Sequence, residues 1–172
     1  MKTLATFDKE NYDKYWPRTI RKSARGIIFI GNKIALCYLT KWGIYAFPGG
    51  RIEDNENPSA ALIREVKEET GLIVKPKSVE EFGKVIEIRK DLFMDGIYEQ
   101  HDFYYTCDVE TAKMYEVDLS EGEKEAGFQF GLVSLDNAIV KNEAAIHAGI
   151  YWTERETYVL RFISDMDRIM CP

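Results

Sequence analysis

The order of hydrophobic and polar positions divides the chain into helices and strands. Between residues 58 and 70 the apolar positions recur at helical spacing, and they are Leu62, Ile63 and Val66. Asn57 suits the N-cap of this helix, and Pro58 suits its first position, where a missing N–H costs nothing. Gly71 suits the left-handed residue that closes a helix. The pattern therefore predicts one well-delimited helix over residues 58–70.

Elsewhere the pattern predicts several strands and two further helices. The strands are a hairpin over 26–39 that turns at Gly31 and Asn32, followed by 72–74, 79–89 and 98–109. Helices are expected over 134–146 and from Trp152 onward, the second with a capping box formed by Thr153 and Glu156. The stretches 92–96 and 120–127 show neither the helical nor the strand pattern of apolar residues, so we expect loops there.

Three carboxylates fall together on the predicted helix. Glu65, Glu68 and Glu69 share one face because they are spaced i, i+3 and i+4, and a like-charge pair at either spacing is unfavourable by roughly 0.2–0.5 kcal/mol. Lys67 lies toward the opposite side and does little to relieve this repulsion. A bound cation would relieve it, and carboxylate oxygens suit a hard ion such as Mg²⁺ or Mn²⁺. The alternative is a solvated acidic face that binds nothing.

The residues around this helix match a known motif at every specified position. The motif reads Gly, five residues, Glu, seven residues, Arg-Glu, apolar, any, Glu-Glu, any, Gly, apolar. Its places are filled by Gly50, Glu56, Arg64, Glu65, Val66, Glu68, Glu69, Gly71 and Leu72. The preceding stretch, Ala46 to Gly49, also looks like the usual lead-in to this motif. Over residues 46–72 the chain therefore resembles the Nudix (MutT-like) hydrolases.

The resemblance implies a fold and a metal site. The implied fold is α/β, a mixed β-sheet sandwiched between α-helices, in which the motif forms a loop–helix–loop called the Nudix box. Glu65, Glu68 and Glu69 sit where the family holds its divalent metals, so they are the expected ligands of Mg²⁺ or Mn²⁺ and the expected catalytic carboxylates. The backbone carbonyl of Gly49 sits where the family often completes the coordination.

The resemblance also implies residues that orient the site or supply a base. Arg64 and Glu56 are expected to join the loop to the helix through paired hydrogen bonds, beside Gly50, without taking part in the chemistry. Many family members place one further acidic residue late in the chain, as a metal ligand or as the base for water. Glu125 is the first choice for this role and Glu123 the second, and a solvated loop is the alternative.

The implied reaction is hydrolysis of a nucleoside diphosphate linked to another group, X. Water, deprotonated with the help of Glu69 or Glu125, would attack one phosphorus. Residues 88–90 lack the residue typical of the dinucleoside polyphosphate subclass and the one typical of the ADP-ribose subclass, so the sequence supports neither in particular. Oxidised nucleoside triphosphates, ADP-ribose and nucleotide sugars all stay open as substrates. The alternative is a non-catalytic Nudix-like module that binds nucleotides or regulates. Such modules commonly lose box carboxylates, whereas this chain has them all.

Four residues outside the helix are candidate substrate contacts. Arg25, like Arg21, is a candidate to meet a phosphate, with a segment that only packs on the domain as the alternative. Trp42 and Tyr45 lie close enough to the box in sequence to stack on a base. Phe103 belongs to a predicted strand that, in the family, passes near the site. For each aromatic residue, packing in the core is the alternative.

Length and composition favour a single domain over 1–172, with residues 1–24 as an N-terminal extension packed on it. The chain contains 45% hydrophobic and 30% charged residues, which is typical of globular proteins. Its net charge of −6 argues against a long nucleic-acid partner, although a bound metal would still supply the positive charge that a nucleotide needs. No apolar run approaches the roughly 20 residues that span a bilayer, so no membrane association is expected.

The cysteines and the N-terminal residues indicate in which cellular compartment the protein is expected. Cys37, Cys107 and Cys171 are odd in number and widely spaced, which favours reduced thiols over a disulfide framework or a zinc site. The stretch 1–5 lacks the apolar core of a secretory signal. We therefore expect a cytoplasmic protein, and the aromatic residues of the N-terminal segment are compatible with a homodimer.

Overall fold

A computed structural model describes residues 1–170, so Cys171 lies outside the described residues. The strands are β1 (Thr3–Asp8), β2 (Arg18–Ile27), β3 (Phe29–Ile30), β4 (Lys33–Leu39), β5 (Ile44–Ala46), β6 (Leu72–Val74), β7 (Glu80–Lys90), β8 (Ile97–Thr106), β9 (Val109–Met114) and β10 (Phe128–Val133). The helices are α1 (Pro58–Thr70), α2 (Glu121–Ala126), α3 (Leu135–His147) and α4 (Glu154–Met170). Within residues 1–170, no helix combines the length and the apolar character that crossing a bilayer requires.

The strands form a mixed four-stranded sheet with long strands, a second four-stranded sheet with shorter strands, and a two-stranded sheet. The larger sheet has the order β1-β7-β8-β2, in which β7 and β8 are antiparallel while β1 and β2 run parallel to their neighbours. A second sheet has the order β10-β4-β3, with β5 also paired to β4, and β6 pairs with β9. One core cluster packs α1 on these strands and another packs α3 and α4 on them. The predicted α/β sandwich is confirmed.

The helix α1 begins and ends as its sequence predicts. The side chain of Asn57 accepts a hydrogen bond from the backbone N–H of Ser59 at 2.9 Å, with Pro58 at the first helical position. Gly71 has φ 72°, and its N–H donates to Lys67 O at 2.8 Å. The apolar side of the helix is fully buried at Ala61, Leu62 and Val66. Glu65 and Glu69 are buried beside this apolar side, one turn after Ala61 and Val66, so the packing of the helix directs both carboxylates into the fold.

Residues 1–24, expected as an extension, contribute strands to the larger sheet. β1 runs parallel to β7, and β2 runs parallel to β8 over its whole length. The backbone of residues 48–52 lies along the other edge of β2, through the bonds Gly26 N to Pro48 O (2.8 Å) and Ala24 N to Gly50 O (2.9 Å). The loop before the box is therefore hydrogen-bonded to the sheet.

Two local expectations are wrong. Residues 120–127 are not a loop: α2 forms there, with a capping box in which Ser120 and Glu123 each accept from the other's backbone N–H. The spacing Ser-x-x-Glu was the available signal, but no apolar periodicity accompanied it. The expected capping box at Thr153 and Glu156 does not form, because the Glu156 carboxylate instead accepts from the distant Phe47 N–H at 3.0 Å.

Candidate metal centre and substrate cavity

Three carboxylates from two helices converge at one end of the fold. Glu65 and Glu69 lie on successive turns of α1, and Glu123 approaches them from α2. One oxygen of each lies within 4.8 Å of the others. Glu65 is 9% exposed and Glu69 is 4% exposed, whereas Glu123 is half-buried. The three residues, called here the carboxylate cluster, present several oxygens toward one point.

The electrostatics of the carboxylate cluster favour a bound cation. Burial raises the pKa of Glu69 from 4.5 to about 8, although the nearby Arg25 and the Gly49 N–H oppose the shift. Burial also raises the pKa of Glu65, against the opposing effect of Arg64. Each ionised carboxylate is costly because it is removed from water and faces other carboxylates. A divalent ion would offset both costs, and an all-oxygen donor set suits Mg²⁺ or Mn²⁺.

The orientation of Glu69 is fixed from two sides. Its Oε2 accepts a hydrogen bond from Gly49 N at 2.7 Å, and the Sγ of Cys37 on β4 donates to the same oxygen at 3.7 Å. Gly49 has φ +136°, and a side chain there would collide with the backbone carbonyl of Ala24. Only glycine therefore brings the loop backbone this close to both the sheet and Glu69.

Gly50 has a different steric role. A Cβ at this position would overlap the carboxylate of Glu65, including the carboxyl carbon at 2.4 Å. The glycine therefore leaves the space that the Glu65 side chain occupies.

Arg64 joins the box loop to the helix. Its Nε and Nη2 donate to the two oxygens of Glu56, both at 3.0 Å, in the paired geometry that was predicted. Its Nη1 also donates to Glu65 at 2.7 Å and to Glu68 at 3.2 Å. The repulsion on this face of α1 is thus partly relieved by Arg64. The case for a cation rests on the buried carboxylate cluster more than on the spacing of the three box glutamates.

The structure separates some of the predicted acidic residues from the cluster. Glu68 is half-buried and lies outside the group of three whose oxygens approach within 4.8 Å. Glu125, the first choice for the additional acidic residue, is exposed and also lies outside that group. Glu123, the second choice, lies inside it. The reason is the helical phase of α2, which points residues 123 and 125 in different directions.

Arg25, a candidate for phosphate binding, is occupied within the fold. Its Nη1 donates to the carbonyl oxygens of Gly49 and, at 3.3 Å, of Phe47. Its Nε lies 3.6 Å from the fully buried Asp102. These contacts direct the Arg25 guanidinium toward the backbone of the loop before the box, and its contact with a phosphate stays a prediction.

Two of the candidate stacking residues face other parts of the core. Tyr45 pairs in register with Tyr38, next to the pair of Cys37 and Ala46. Since neighbouring strand residues point to opposite faces and Cys37 contacts Glu69, Tyr45 faces away from the cluster. Trp42 packs edge-on against Trp152 at 5.4 Å between ring centroids. Both residues therefore pack within the fold, as the alternative to base stacking predicts.

Phe103 lines a cavity of about 670 Å³ beside the box loop. Three basic residues also line it, Arg21, Lys22 and Arg51, and no ion pair is found for them among the described residues. Tyr98, Glu53 and Asp54 complete much of the remaining wall. The volume lies within the range typical of small-ligand sites. Arg51 follows Gly50 directly, and Glu56, the hydrogen-bond partner of Arg64, is a further lining residue, so the cavity borders the box loop.

Sequence reasoning missed a group of buried charges beneath the lead-in to the box. Asp102 and Arg155 form an ion pair, Arg155 also lies 3.2 Å from Glu87, and Glu156 is 6% exposed. These residues come from β7, β8 and α4, far apart in the chain. Glu87 and Asp102 stand among several other polar residues of β7 and β8, and strand alternation explains such positions equally well, so the signal in the sequence was weak.

Known proteins resemble the chain in sequence and in fold. The model of the NUDIX domain family matches residues 21–151. A 32-residue stretch, 19% of the chain, is 56% identical to an 8-oxo-dGTP diphosphatase of Proteus vulgaris and covers 29% of it. A stretch of 57 residues, 31% of the chain, is 47% identical to an ADP-ribose pyrophosphatase of Methanocaldococcus jannaschii and covers 34% of it. The matched stretches thus span about a third of each relative.

Solved structures extend the likeness beyond these stretches. The mutator MutT protein of Bacillus halodurans superposes with a TM-score of 0.52 at 20% identity, over 70% of this chain and 72% of that one. This similarity shows a common fold.

Proposed function

The chain belongs to the Nudix family, and on that premise we propose that it is a metal-dependent pyrophosphohydrolase acting on a nucleoside diphosphate linked to another group X. The observation that carries the proposal is the carboxylate cluster of Glu65, Glu69 and Glu123, two of them buried beside the box loop. Burying like charges together is costly unless they are used to hold a cation.

The residues that would hold Mg²⁺ or Mn²⁺ are Glu65, Glu69 and the carbonyl of Gly49. A carbonyl oxygen has two lone pairs, so the hydrogen bond from Arg25 leaves one available. Glu68, half-exposed and paired with Arg64, is a further proposed ligand. When bound, the metal would neutralise phosphate charge and lower the pKa of water.

Glu123 is the proposed base for the attacking water. It is half-buried at the rim of the cluster, and its Oε2 accepts from Ser120 N at 2.7 Å, which leaves its Oε1 for another partner. Water attacks one phosphorus as its proton passes to Glu123, and the bond from that phosphorus to the bridging oxygen breaks. The products are a nucleoside monophosphate and phospho-X. No covalent intermediate with the protein is required.

The cavity beside the box loop is the proposed substrate site. Arg21, Lys22 and Arg51 offer positive charge for phosphate oxygens, and Phe103 offers an apolar face for a base or sugar. The names of the two sequence relatives, 8-oxo-dGTP diphosphatase and ADP-ribose pyrophosphatase, make an oxidised nucleoside triphosphate and ADP-ribose leading candidates for the substrate. Nucleotide sugars complete the proposed range.

We test the proposal with a panel of these nucleotides, incubated with the protein and Mg²⁺ and analysed for phosphate-containing products. At least one compound should be cleaved, with activity abolished by a chelator. Glu69→Gln and Glu123→Gln should each lower the rate at least tenfold, since both remove a charge from the cluster. Glu125→Gln is the matched control on α2 and should retain the rate. Nucleotide binding without turnover across the panel would refute the hydrolase and favour a binding module.

We also propose a cytoplasmic location, which the two buried free thiols of Cys37 and Cys107 support. A homodimer remains a prediction, to be measured by light scattering.

A further inference from the structure

Phe47–Gly49, the last three residues of the lead-in to the box, have all their backbone polar groups hydrogen-bonded. The N–H of Phe47 donates to Glu156 Oε2 at 3.0 Å, and the N–H of Gly49 donates to Glu69. The carbonyls of Phe47 and Gly49 both accept from Arg25, and that of Pro48 accepts from Gly26 N at 2.8 Å. Pro48 has no N–H to satisfy. Three charged side chains thus take up every remaining donor and acceptor of this segment.

These side chains come from three separate elements. Arg25 lies on β2, Glu69 on α1 and Glu156 on α4. Glu156 is 109 residues away from Phe47 in sequence and lies past residue 151, where the match to the family model ends. The contact therefore joins the matched region, at Phe47, to a helix that lies beyond the end of the match.

The buried charged side chains that contact this segment also restrain one another through ion pairs. Asp102 lies between Arg25 and Arg155 and is fully buried, and Arg155 is the residue directly before Glu156. A guanidinium held by a buried carboxylate has few alternative positions, because leaving the pair would strand a charge in the interior. The network thus restrains both Arg25 and the start of α4.

We propose that Arg25 and Glu156 are positioning residues that hold the Gly49 carbonyl and, through the Gly49 N–H, the Glu69 carboxylate in place for a divalent metal. The inference rests on the metal site of the proposed function. It makes α4 a required part of that site, although α4 supplies no ligand. Removing the acceptor for Phe47 N–H leaves a buried donor unpaired and lets the segment move.

The test measures Mn²⁺ affinity of the metal-free protein by electron paramagnetic resonance, without any substrate. Glu156→Ala removes the acceptor, Glu156→Asp withdraws it by one methylene, and Glu156→Gln keeps an oxygen in place. We expect Mn²⁺ binding to weaken about 10- to 100-fold in the Ala and Asp variants. The Gln variant should stay within about threefold of the wild type, because it restores the hydrogen bond.

Leu160→Ala is the matched control, since Leu160 lies on the same helix, is fully buried and packs in the core cluster where α3 and α4 meet the strands. It should destabilise the protein while leaving Mn²⁺ affinity within about threefold of wild type. Thermal unfolding of every variant separates stability from affinity. If Glu156→Ala fails to fold, the Mn²⁺ affinity of Glu156→Asp, which retains the charge, tests the positioning role in its place.

The outcomes distinguish this inference from the proposal beneath it. If the wild type binds no Mn²⁺, the metal site itself is refuted. If the wild type binds Mn²⁺ and the folded Ala or Asp variant binds it equally well, the positioning role is refuted. An equal loss of affinity in Leu160→Ala would also refute it, because the effect would then follow from general destabilisation.

Discussion

Glu69→Gln should stabilise the metal-free protein at neutral and alkaline pH. Burial raises the pKa of Glu69 from 4.5 to about 8. Between these two pKa values, the Glu69 carboxyl of the unfolded chain has lost its proton while that of the folded protein keeps it. Because the folded state binds more protons, the free energy of unfolding falls as the pH rises. Glutamine has no proton to lose, so the variant is free of this dependence.

The size of the effect follows from the shift. Each pKa unit corresponds to about 1.4 kcal/mol, so between pH 5 and 8 the wild type should lose about 4 kcal/mol relative to Glu69→Gln. For a chain of this length that difference corresponds to roughly 8–16 °C in the unfolding midpoint. Mg²⁺ should reverse the order, because it binds the ionised carboxylate of the wild type and finds one charge fewer in the variant.

Urea unfolding followed by tryptophan fluorescence, in chelator, at pH 5, 6, 7 and 8 measures this difference. Glu125→Gln, an exposed change outside the carboxylate cluster, is the control and should follow the wild type at every pH. A gap between wild type and Glu69→Gln that stays constant to within about 1 kcal/mol over this range would show that Glu69 is not held in a costly ionised form.

Three further predictions concern the box and the cavity. Gly50→Ala should weaken Mn²⁺ binding at least tenfold with the fold retained, because the added Cβ would displace Glu65; circular dichroism and Mn²⁺ titration check both parts. Glu68→Gln should lower the hydrolysis rate at least a hundredfold if Glu68 is a metal ligand, whereas a loss below tenfold in steady-state assays would assign it to pairing with Arg64. Arg51→Ala should raise the KM for the true substrate about tenfold with kcat nearly unchanged, and an unchanged KM would remove this side of the cavity from the substrate site.

Helix α1 and its box were predictable because their determinants are local. The caps at Asn57 and Gly71 act within a few residues of the helix ends, and the structure confirms both. The pairing of Arg64 with Glu56 spans only eight residues and was predicted from the motif. Such contacts depend on helical spacing, which the sequence displays directly.

The choice among equivalent residues was not predictable. Glu123 and Glu125 lie two positions apart, and which of them reaches the carboxylate cluster depends on the rotation of α2, a helix without apolar periodicity to set its phase. Tyr45 was an expected substrate contact, but its direction follows from the strand pairing of β5 with β4. A shift of one residue in phase or register reverses such a prediction.

The sequence by itself therefore determined the family and the helix that carries Glu65, Glu68 and Glu69, the proposed metal ligands. The tertiary structure decided which acid joins Glu65 and Glu69, that Arg25 supports the loop backbone, and that Glu156 reaches Phe47 from α4. The physical reason is the distance along the chain. Contacts between residues 22 or 109 positions apart depend on how whole elements pack, and neither spacing nor composition records that arrangement.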